Sequence, residues 1–170
     1  MLLSPTISQG IIRENKEETM KIKTYSGNIV PEPDTIFVFG SNPEGVHGAG
    51  SAKVARLQFG AIYGQGEGLQ GNAYGLPTTI LNYDSFGWVP YSRKMTMEEI
   101  TEHIKKMYEC ARQHPDKKFK VAYRNQPDEV TLCGYSGREM MSCFKNACCG
   151  DYPENVYFSE EWGDSGCLVN

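Results

Sequence analysis

The sequence lacks the features that define several common protein classes. Of its 170 residues, 17 are Lys or Arg and 21 are Asp or Glu, so the net charge of −4 provides no basic surface for a nucleic-acid backbone. No apolar run approaches the roughly 20 residues that a membrane-spanning helix needs. Residues 1–19 contain "RENKEE" and no apolar segment typical of a secretory signal. We therefore expect a cytoplasmic protein with neither a nucleic-acid nor a membrane partner.

Metal-binding and nucleotide-binding signatures are also missing. The six cysteines contain no C-x-x-C pair, the spacing that lets two thiolates hold one zinc ion. We expect reduced cysteines that mainly pack in the interior, with no metal and no other cofactor. No G-K-[ST] follows a glycine-rich loop, and the spacing of Gly45, Gly48 and Gly50 is not G-x-G-x-x-G. These absences exclude a P-loop and a dinucleotide fingerprint.

Segments with strand and helix patterns alternate along the chain. Short runs rich in apolar residues predict strands at "TIFVFG" (35–40), "AYGLPTT" (73–79), "KFKVAYR" (118–124), "VTLC" (130–133) and "ENVYFS" (154–159). Helices are predicted over 51–60, 96–114 and 136–147. This order predicts an α/β fold, a three-layer α/β/α sandwich with helices on both faces of a central mixed sheet. We expect a single domain over residues 20–170, preceded by a flexible lead-in at 1–19.

Capping signals and apolar spacing refine the three helices. Thr96 with Glu99, and Ser136 with Glu139, have the spacing of capping boxes. We expect Ser51 to cap the first helix, and Gly60 to end it. The predicted buried positions are Val54, Ala55 and Leu57 in the first helix, Ile100, Ile104, Met107, Tyr108 and Ala111 in the second, and Met140, Phe144 and Ala147 in the third. Residues 80–95 read as a long aromatic loop, of a length that usually covers a site or a partner.

Glycine-rich loops link strands to helices at two places. The first, "GSNPEGVHGAG" (40–50), follows a buried strand, and the second, "GYSG" (134–137), precedes a capped helix. Ligands of α/β sheets bind at the carboxyl ends of strands, where exposed backbone N–H groups favour phosphate. A third glycine-rich stretch, "GQGEGLQG" (64–71), allows the backbone to pack close to a neighbour or a substrate. An ordinary strand-to-helix turn is the alternative for each loop alone.

Several side chains near these loops are candidates for binding or chemistry. An amide such as that of Asn42 can hold a ribose hydroxyl or orient water, and is equally suited to a turn. His47 and Glu67 are candidate acids or bases, although a loop histidine is more often only a hydrogen-bonding residue. Arg124 follows a strand, where a guanidinium can meet phosphate or form a surface ion pair. The candidate ligand-binding residues are Asn28, Ser41, Asn42, Gly48, Ala49, Gly50, Ser51, Arg124, Gly134, Tyr135, Ser136 and Gly137. The candidate catalytic residues are Asn42, His47 and Glu67.

The ordered set of motifs resembles the macro domain, an α/β/α module that binds ADP-ribose. "GNI" (27–29) is similar to that family's Gly-Asp-Ile, and "FGSN" (39–42) falls where the family has Asn-Ala-Ala-Asn. "GLQGNAYGLPTT" (68–79) and "LCGYSG" (132–137) resemble its Leu-Pro strand and its second phosphate loop. The run "FGSN…HGAG…FGA" is closer still to macro-like proteins of bacteria and phages. The resemblance implies a diphosphate held between Gly48–Ser51 and Gly134–Gly137, with Asn42 on the distal ribose.

Departures from the family pattern concern the catalytic and adenine-binding positions. Asn28 stands where the family has an adenine-contacting aspartate, and Ala52 stands where many of its hydrolases carry an aspartate. Another branch uses a lysine and an aspartate where this chain has Arg56 and Ser136, and a protonated guanidinium is a poor nucleophile. We therefore expect binding of ADP-ribose or a related nucleotide diphosphate. The alternatives are a hydrolase of ADP-ribose derivatives, with Asn42 positioning water and His47 or Glu67 as base, and a protein-interaction module.

Overall fold

The computed structural model describes residues 22–84, 87–89, 94–123, 128–130 and 133–164. Its strands are β1 (Lys23–Tyr25), β2 (Thr35–Ser41), β3 (Gly68–Gln70), β4 (Ala73–Pro77), β5 (Asn82–Asp84), β6 (Gly87–Val89), β7 (Lys118–Val121) and β8 (Val156–Ser159). Its helices, numbered here in chain order, are α1 (Gly50–Gln58), α2 (Met97–Gln113), α3 (Gly137–Cys148) and α4 (Glu160–Asp164). None of the helices in these ranges is long and apolar enough to cross a bilayer.

Six strands form the central sheet in the order β1-β8-β7-β2-β4-β3. Neighbouring strands are parallel except at the β3 edge, where β3 runs antiparallel to β4. Strand β2 lies inside the sheet, with Val38 opposite Tyr74 of β4 and Val121 of β7. Five of its seven residues are buried hydrophobic or threonine side chains in an unbroken run, as expected for a strand covered on both faces. The predicted mixed sheet is confirmed.

Side chains of β2 alternate between two cores, because successive residues of a strand point to opposite faces. Phe37 and Phe39 pack with Ala52, Ala55 and Phe59 of the α1 layer, where the rings of Phe37 and Phe59 stack with centroids 4.4 Å apart. On the other face, Ile36 and Val38 pack against α2 and α3. Helices therefore cover both faces of the sheet, and the predicted three-layer α/β/α arrangement is confirmed.

Helical periodicity located the large core correctly. The predicted inward positions of α2 and α3, from Ile100 to Ala111 and from Met140 to Ala147, are all buried. Both predicted capping boxes are present, at Thr96 with Glu99 and at Ser136 with Glu139. In α1, Ala55 is buried as predicted and Val54 is partly buried, whereas the prediction for Leu57 is wrong: Leu57 is 64% exposed and Ala52 is buried instead. The short α1 contacts the sheet mainly through Ala52 and Ala55, which leaves Arg56, Leu57 and Gln58 exposed.

Two predicted segments differ from the structure in extent. Within the predicted loop 80–95, β5 and β6 form an antiparallel pair, with Tyr83 opposite Trp88. The predicted strand 130–133 is reduced, within the described part, to one bridge between Val130 and Ser136. Five cysteines are described and all are free thiols, three of them buried (Cys133, Cys143 and Cys148). This agrees with the predicted packing role.

Candidate functional site

The loops that follow β2 and β7 start at the same end of the sheet and turn towards opposite faces. These two strands are parallel neighbours, so their carboxyl ends meet at one edge. The chain leaving β2 forms α1 on one face, whereas the chain leaving β7 leads to α3 on the other face. Such a divergence opens a crevice between the two loops, which is where open α/β sheets bind ligands. We call this opening the β2/β7 crevice.

The N-terminus of α1 borders the crevice and has no cap of its own. Ala49 occupies the N-cap position with extended backbone (φ −152°, ψ 167°) and provides no side-chain hydrogen bond. The first turn contains no acidic residue. Gly48, Ala49 and Gly50 are exposed, and a Cβ added at either glycine would meet nothing within 4 Å. The predicted cap at Ser51 is wrong, because Ser51 already lies inside the helix; its predicted role in binding stays a prediction.

The N-termini of α2 and α3 are satisfied by their own side chains. In α2, the Thr96 hydroxyl accepts from the Glu99 N–H at 3.1 Å, and the Glu99 carboxylate accepts from the Thr96 N–H. In α3, Ser136 and Glu139 make the same reciprocal pair. Each of these helices thus carries a carboxylate in its first turn, which occupies backbone donors and offsets the positive end of the helix dipole. Among these three helices, α1 alone leaves that end open to an external anion.

Asn42 and Ser41 give the first loop its shape. The Asn42 side chain donates to the Val46 carbonyl at 2.9 Å and accepts from the Val46 N–H at 2.8 Å. The Ser41 carbonyl accepts from the N–H groups of Thr78 and Thr79, which ties β2 to the segment after β4. Both side chains are buried. Asn42 therefore holds the loop that leads to α1, and its contact with a ribose stays a prediction.

The third glycine-rich stretch packs against the first loop. The Gly64 N–H donates to the Gly45 carbonyl at 2.9 Å. A Cβ at Gly66 would lie 2.1 Å from the Asn42 carbonyl oxygen, so only glycine allows these two backbones to approach so closely. Of the two partners predicted for this stretch, a neighbouring backbone or a substrate, the structure shows the first.

His47 is fully buried beneath the first loop. Its ring meets those of Phe39 and Tyr63 edge-on, with centroids 5.0 and 6.5 Å apart. Neither ring nitrogen has a hydrogen-bond partner of normal geometry among the described residues, although the Gln65 backbone lies near enough to raise the pKa in part. Burial is the larger effect and lowers the pKa of His47, in the same direction as the Arg56 charge. Burial therefore favours the neutral form of His47, whose ring is separated from solvent.

Glu67 lies in a different environment from His47. Its carboxylate contacts the His103 ring and lies 3.6 Å from the Lys106 ammonium, both on α2. Helix α2 covers the opposite face of the sheet from Phe39, the ring against which His47 packs. The structure therefore does not assemble Asn42, His47 and Glu67 around one point. Sequence reasoning missed the pairing of Glu67 with His103, because 36 residues separate them.

The second loop, Gly134–Gly137, lines the α3 side of the crevice. The Ser136 N–H donates to the Glu139 carboxylate, and the Gly137 N–H donates to the Glu129 carbonyl at 3.2 Å. The Tyr135 hydroxyl donates to the Met95 carbonyl at 2.7 Å. Two of the predicted backbone donors are thus already bonded within the protein, which favours α1 as the stronger anion site.

The outermost predicted binding residues lie at the same edge of the sheet or outside the described ranges. Asn28 is exposed just after β1, whose carboxyl end shares this edge because β1, β8, β7 and β2 are all parallel. Arg124 lies outside the described residues. Lys94, which sequence reasoning missed, bonds the Gly134 carbonyl across 40 positions of the chain. No local signal in the sequence connects these two residues.

A surface groove elsewhere on the molecule suits phosphate poorly. It has a volume of about 280 Å³ and lies between α2 and α3, where Glu98 and Glu102 contribute carboxylates. Negative charge at both positions disfavours an anionic ligand. Within the described ranges, no group of three or more His, Cys, Asp or Glu side chains is arranged to hold a metal ion.

Comparisons with known proteins give one structural likeness. No protein-family model matches the chain, and no curated protein matches it. Among solved structures, the chain is similar to the macrodomain of Thermus aquaticus DarG, with 18% identity and a TM-score of 0.48. The likeness covers 82% of this chain and 98% of that one. That structure bears the name of the family whose motifs residues 27–29 and 39–50 resemble; at this similarity, residue roles do not transfer.

Proposed function

We propose that the chain binds ADP-ribose or a related nucleotide diphosphate in the β2/β7 crevice. The observation that carries this proposal is the open N-terminus of α1, which has neither a side-chain cap nor an acidic residue in its first turn. Backbone N–H groups and the helix dipole at such a terminus attract phosphate oxygens. The exposed Gly48-Ala49-Gly50 backbone lets a phosphate approach these donors directly.

The length of the sheet edge favours an elongated ligand over phosphate alone. In the strand order β1-β8-β7-β2, Asn28 follows a strand three places away from β2. At the usual strand spacing this is a distance of about 14 Å along the edge. A nucleotide diphosphate that places its phosphates at α1 can extend along this edge towards Asn28. The macro-domain resemblance of the motifs makes ADP-ribose the first ligand to test.

Binding is a better proposal than hydrolysis. The hydrolase alternative needs Asn42 to position water beside His47 or Glu67. The Asn42 amide is bonded to Val46, His47 is fully buried, and Glu67 is paired with His103 of α2. The interaction-module alternative depends on the aromatic segment 80–91, part of which lies outside the described residues, and it stays a prediction.

Calorimetric titration tests the proposal directly. We expect ADP-ribose to bind with measurable heat and to raise Tm, because a ligand that binds only the folded state stabilises it. Adenosine, which lacks phosphate, should bind at least about 10-fold more weakly, since charged hydrogen bonds contribute about 1.5–3 kcal/mol each. If ADP-ribose produces neither heat nor a shift in Tm, the proposed function is contradicted. Release of ADP-ribose from a modified protein, lost in Asn42→Ala, would instead favour the hydrolase.

A further inference from the structure

Lys94 makes two contacts with the second loop, and one of its partners is itself anchored. Its ammonium donates to the Gly134 carbonyl at 2.9 Å and lies 4.7 Å from the centre of the Tyr135 ring. The Tyr135 hydroxyl is anchored on the Met95 carbonyl, so the ring that supports the ammonium is itself fixed. Lys94 lies just before α2, and Gly134 lies just before α3. The contact therefore places a positive charge where the two helices begin.

The absence of a side chain at Gly134 leaves room for Lys94. Its φ of +87° disfavours any side chain, and a Cβ built there would lie 2.5 Å from Lys94 Cε and 3.2 Å from Nζ. A side chain at Gly134 would therefore displace the end of the Lys94 side chain, and the positive φ by itself favours glycine. This explains a glycine at Gly134 without any requirement for bound phosphate.

The backbone of the second loop is poorly suited to hold phosphate without added positive charge. The N–H groups of Ser136 and Gly137 are already bonded, and Glu139 places a carboxylate in the first turn of α3. A phosphate entering the crevice would meet this negative charge. An ammonium beside Gly134 offsets it and offers charged hydrogen bonds, which are stronger than neutral ones.

We propose that Lys94 supplies the positive charge that phosphate meets on the α3 side of the β2/β7 crevice. This inference rests on the proposed function, since it assigns a residue to the same site. The diphosphate then lies between two different kinds of partner: the open backbone of α1 on one side and a lysine side chain on the other. Lys94 is accordingly a determinant of specificity for phosphate-bearing ligands.

The test compares Lys94→Met with Lys94→Arg in ADP-ribose titrations at several salt concentrations. Methionine keeps much of the apolar stem and removes the charge, so we expect affinity to fall about 10-fold or more. Arginine keeps the charge and should stay within about threefold of the parent chain. Affinity should also depend less on salt in Lys94→Met, because one charge interaction is gone. A merely structural lysine would change Tm without changing this salt dependence.

Two further variants make the outcome decisive. Gly134→Ala should displace Lys94 and reproduce the loss of affinity. Lys105→Met removes the same charge from a lysine paired with Glu102 on α2 and should leave affinity unchanged. If the parent chain binds ADP-ribose and Lys94→Met binds equally well with the same salt dependence, the role of Lys94 is refuted. If the parent chain does not bind, the proposed function itself fails.

Discussion

Single residues in the first loop act through packing and backbone hydrogen bonds. Asn42 fixes the backbone of Val46, and His47 fills the space between Phe39 and Tyr63. The His47 carbonyl also accepts from Arg56 Nε at 3.1 Å, which joins the loop to α1. A change at His47 is therefore transmitted to the helix whose N-terminus we propose as the phosphate site.

The buried His47 should make stability depend on pH. Its pKa is lowered from 6.5 only in the folded state, so between that lowered value and about pH 6.5 the unfolded chain binds more protons. The free energy of unfolding should be fully retained above about pH 6.5 and should fall as the pH drops towards the folded-state pKa. His47→Phe keeps an aromatic ring and removes the titration. Urea unfolding from about pH 7.5 to 5 should show a smaller loss in this variant; an equal loss would refute the role of His47.

Sequence reasoning at this scale located the first loop but not its partners. The glycines and Asn42 indicated a loop suited to anions, and the structure places that loop at the sheet edge. The N-cap of α1 could not be predicted from the sequence, because backbone geometry decides it. Ala49 has the extended backbone of an N-cap residue, whereas Ser51 lies inside the helix. Lys94 could not be found because its partner is distant along the chain.

At the scale of the elements, the C-terminal end of α2 is held by the side chain of Asn155, which lies far away in the sequence. Asn155 Nδ2 donates to the carbonyls of Ala111, His114 and Lys117, at 2.8, 2.9 and 2.9 Å. These carbonyls lie in the last turn of α2 and in the connection to β7. Asn155, just before β8, thus joins the end of α2 to the sheet.

Removing this amide should destabilise the protein. Asn155→Ala removes a donor from three carbonyls, of which those of Ala111 and His114 keep a backbone N–H partner, and we expect a loss of about 1–3 kcal/mol in the free energy of unfolding. Asn146→Ala changes an exposed asparagine on α3 and should stay within about 0.5 kcal/mol. Urea denaturation of both variants provides the comparison. Equal stability of the two would show that the Asn155 contacts contribute little.

Elements were predictable in proportion to their length and regularity. All the core positions that the helical period predicted in α2 are buried. The prediction succeeded because 17 residues supply several turns of one apolar face. Helix α1 has nine residues, and its alanine seam gave too weak a pattern to exclude Leu57. Strand β1 has only three residues, with one buried, and its pairing with β8 could not be read locally.

At the scale of the whole molecule, β8 and α4 complete the core that lies between the sheet and helices α2 and α3. Trp162 of α4 is fully buried and packs on Phe158, Phe144 and Tyr123. Sequence reasoning assigned this region to the domain without giving the tryptophan a role. The position of Trp162 depends on the order of the strands, which places β8 between β1 and β7, and no local pattern in the sequence indicates that order.

The stability of the molecule should therefore depend more on Trp162 than on exposed apolar residues. Trp162→Ala should lower the free energy of unfolding by about 3–5 kcal/mol, because it leaves a cavity in the core. Domains are typically stable by only about 5–15 kcal/mol, so this is a large fraction. Leu57→Ala, at an exposed position, should change stability by less than about 0.5 kcal/mol. Similar losses in the two variants would contradict the assignment of the core.

The central claim, that the open N-terminus of α1 binds phosphate, is tested most directly by Ala49→Asp. Aspartate is a preferred N-cap residue, and Ala49 already has the extended backbone of that position. The new carboxylate should raise the free energy of unfolding by about 0.5–2 kcal/mol while it occupies the N–H groups and repels an anion.

A calorimetric titration measures the change in ADP-ribose affinity, and a thermal melt of the same variant measures the change in stability. We predict that Ala49→Asp raises Tm and weakens ADP-ribose binding at least about 10-fold, so that the loss of affinity cannot come from unfolding. Ala49→Ser, which caps without charge, should retain more of the affinity. A variant Ala49→Asp that is more stable and binds ADP-ribose as tightly as the parent chain would contradict the claim.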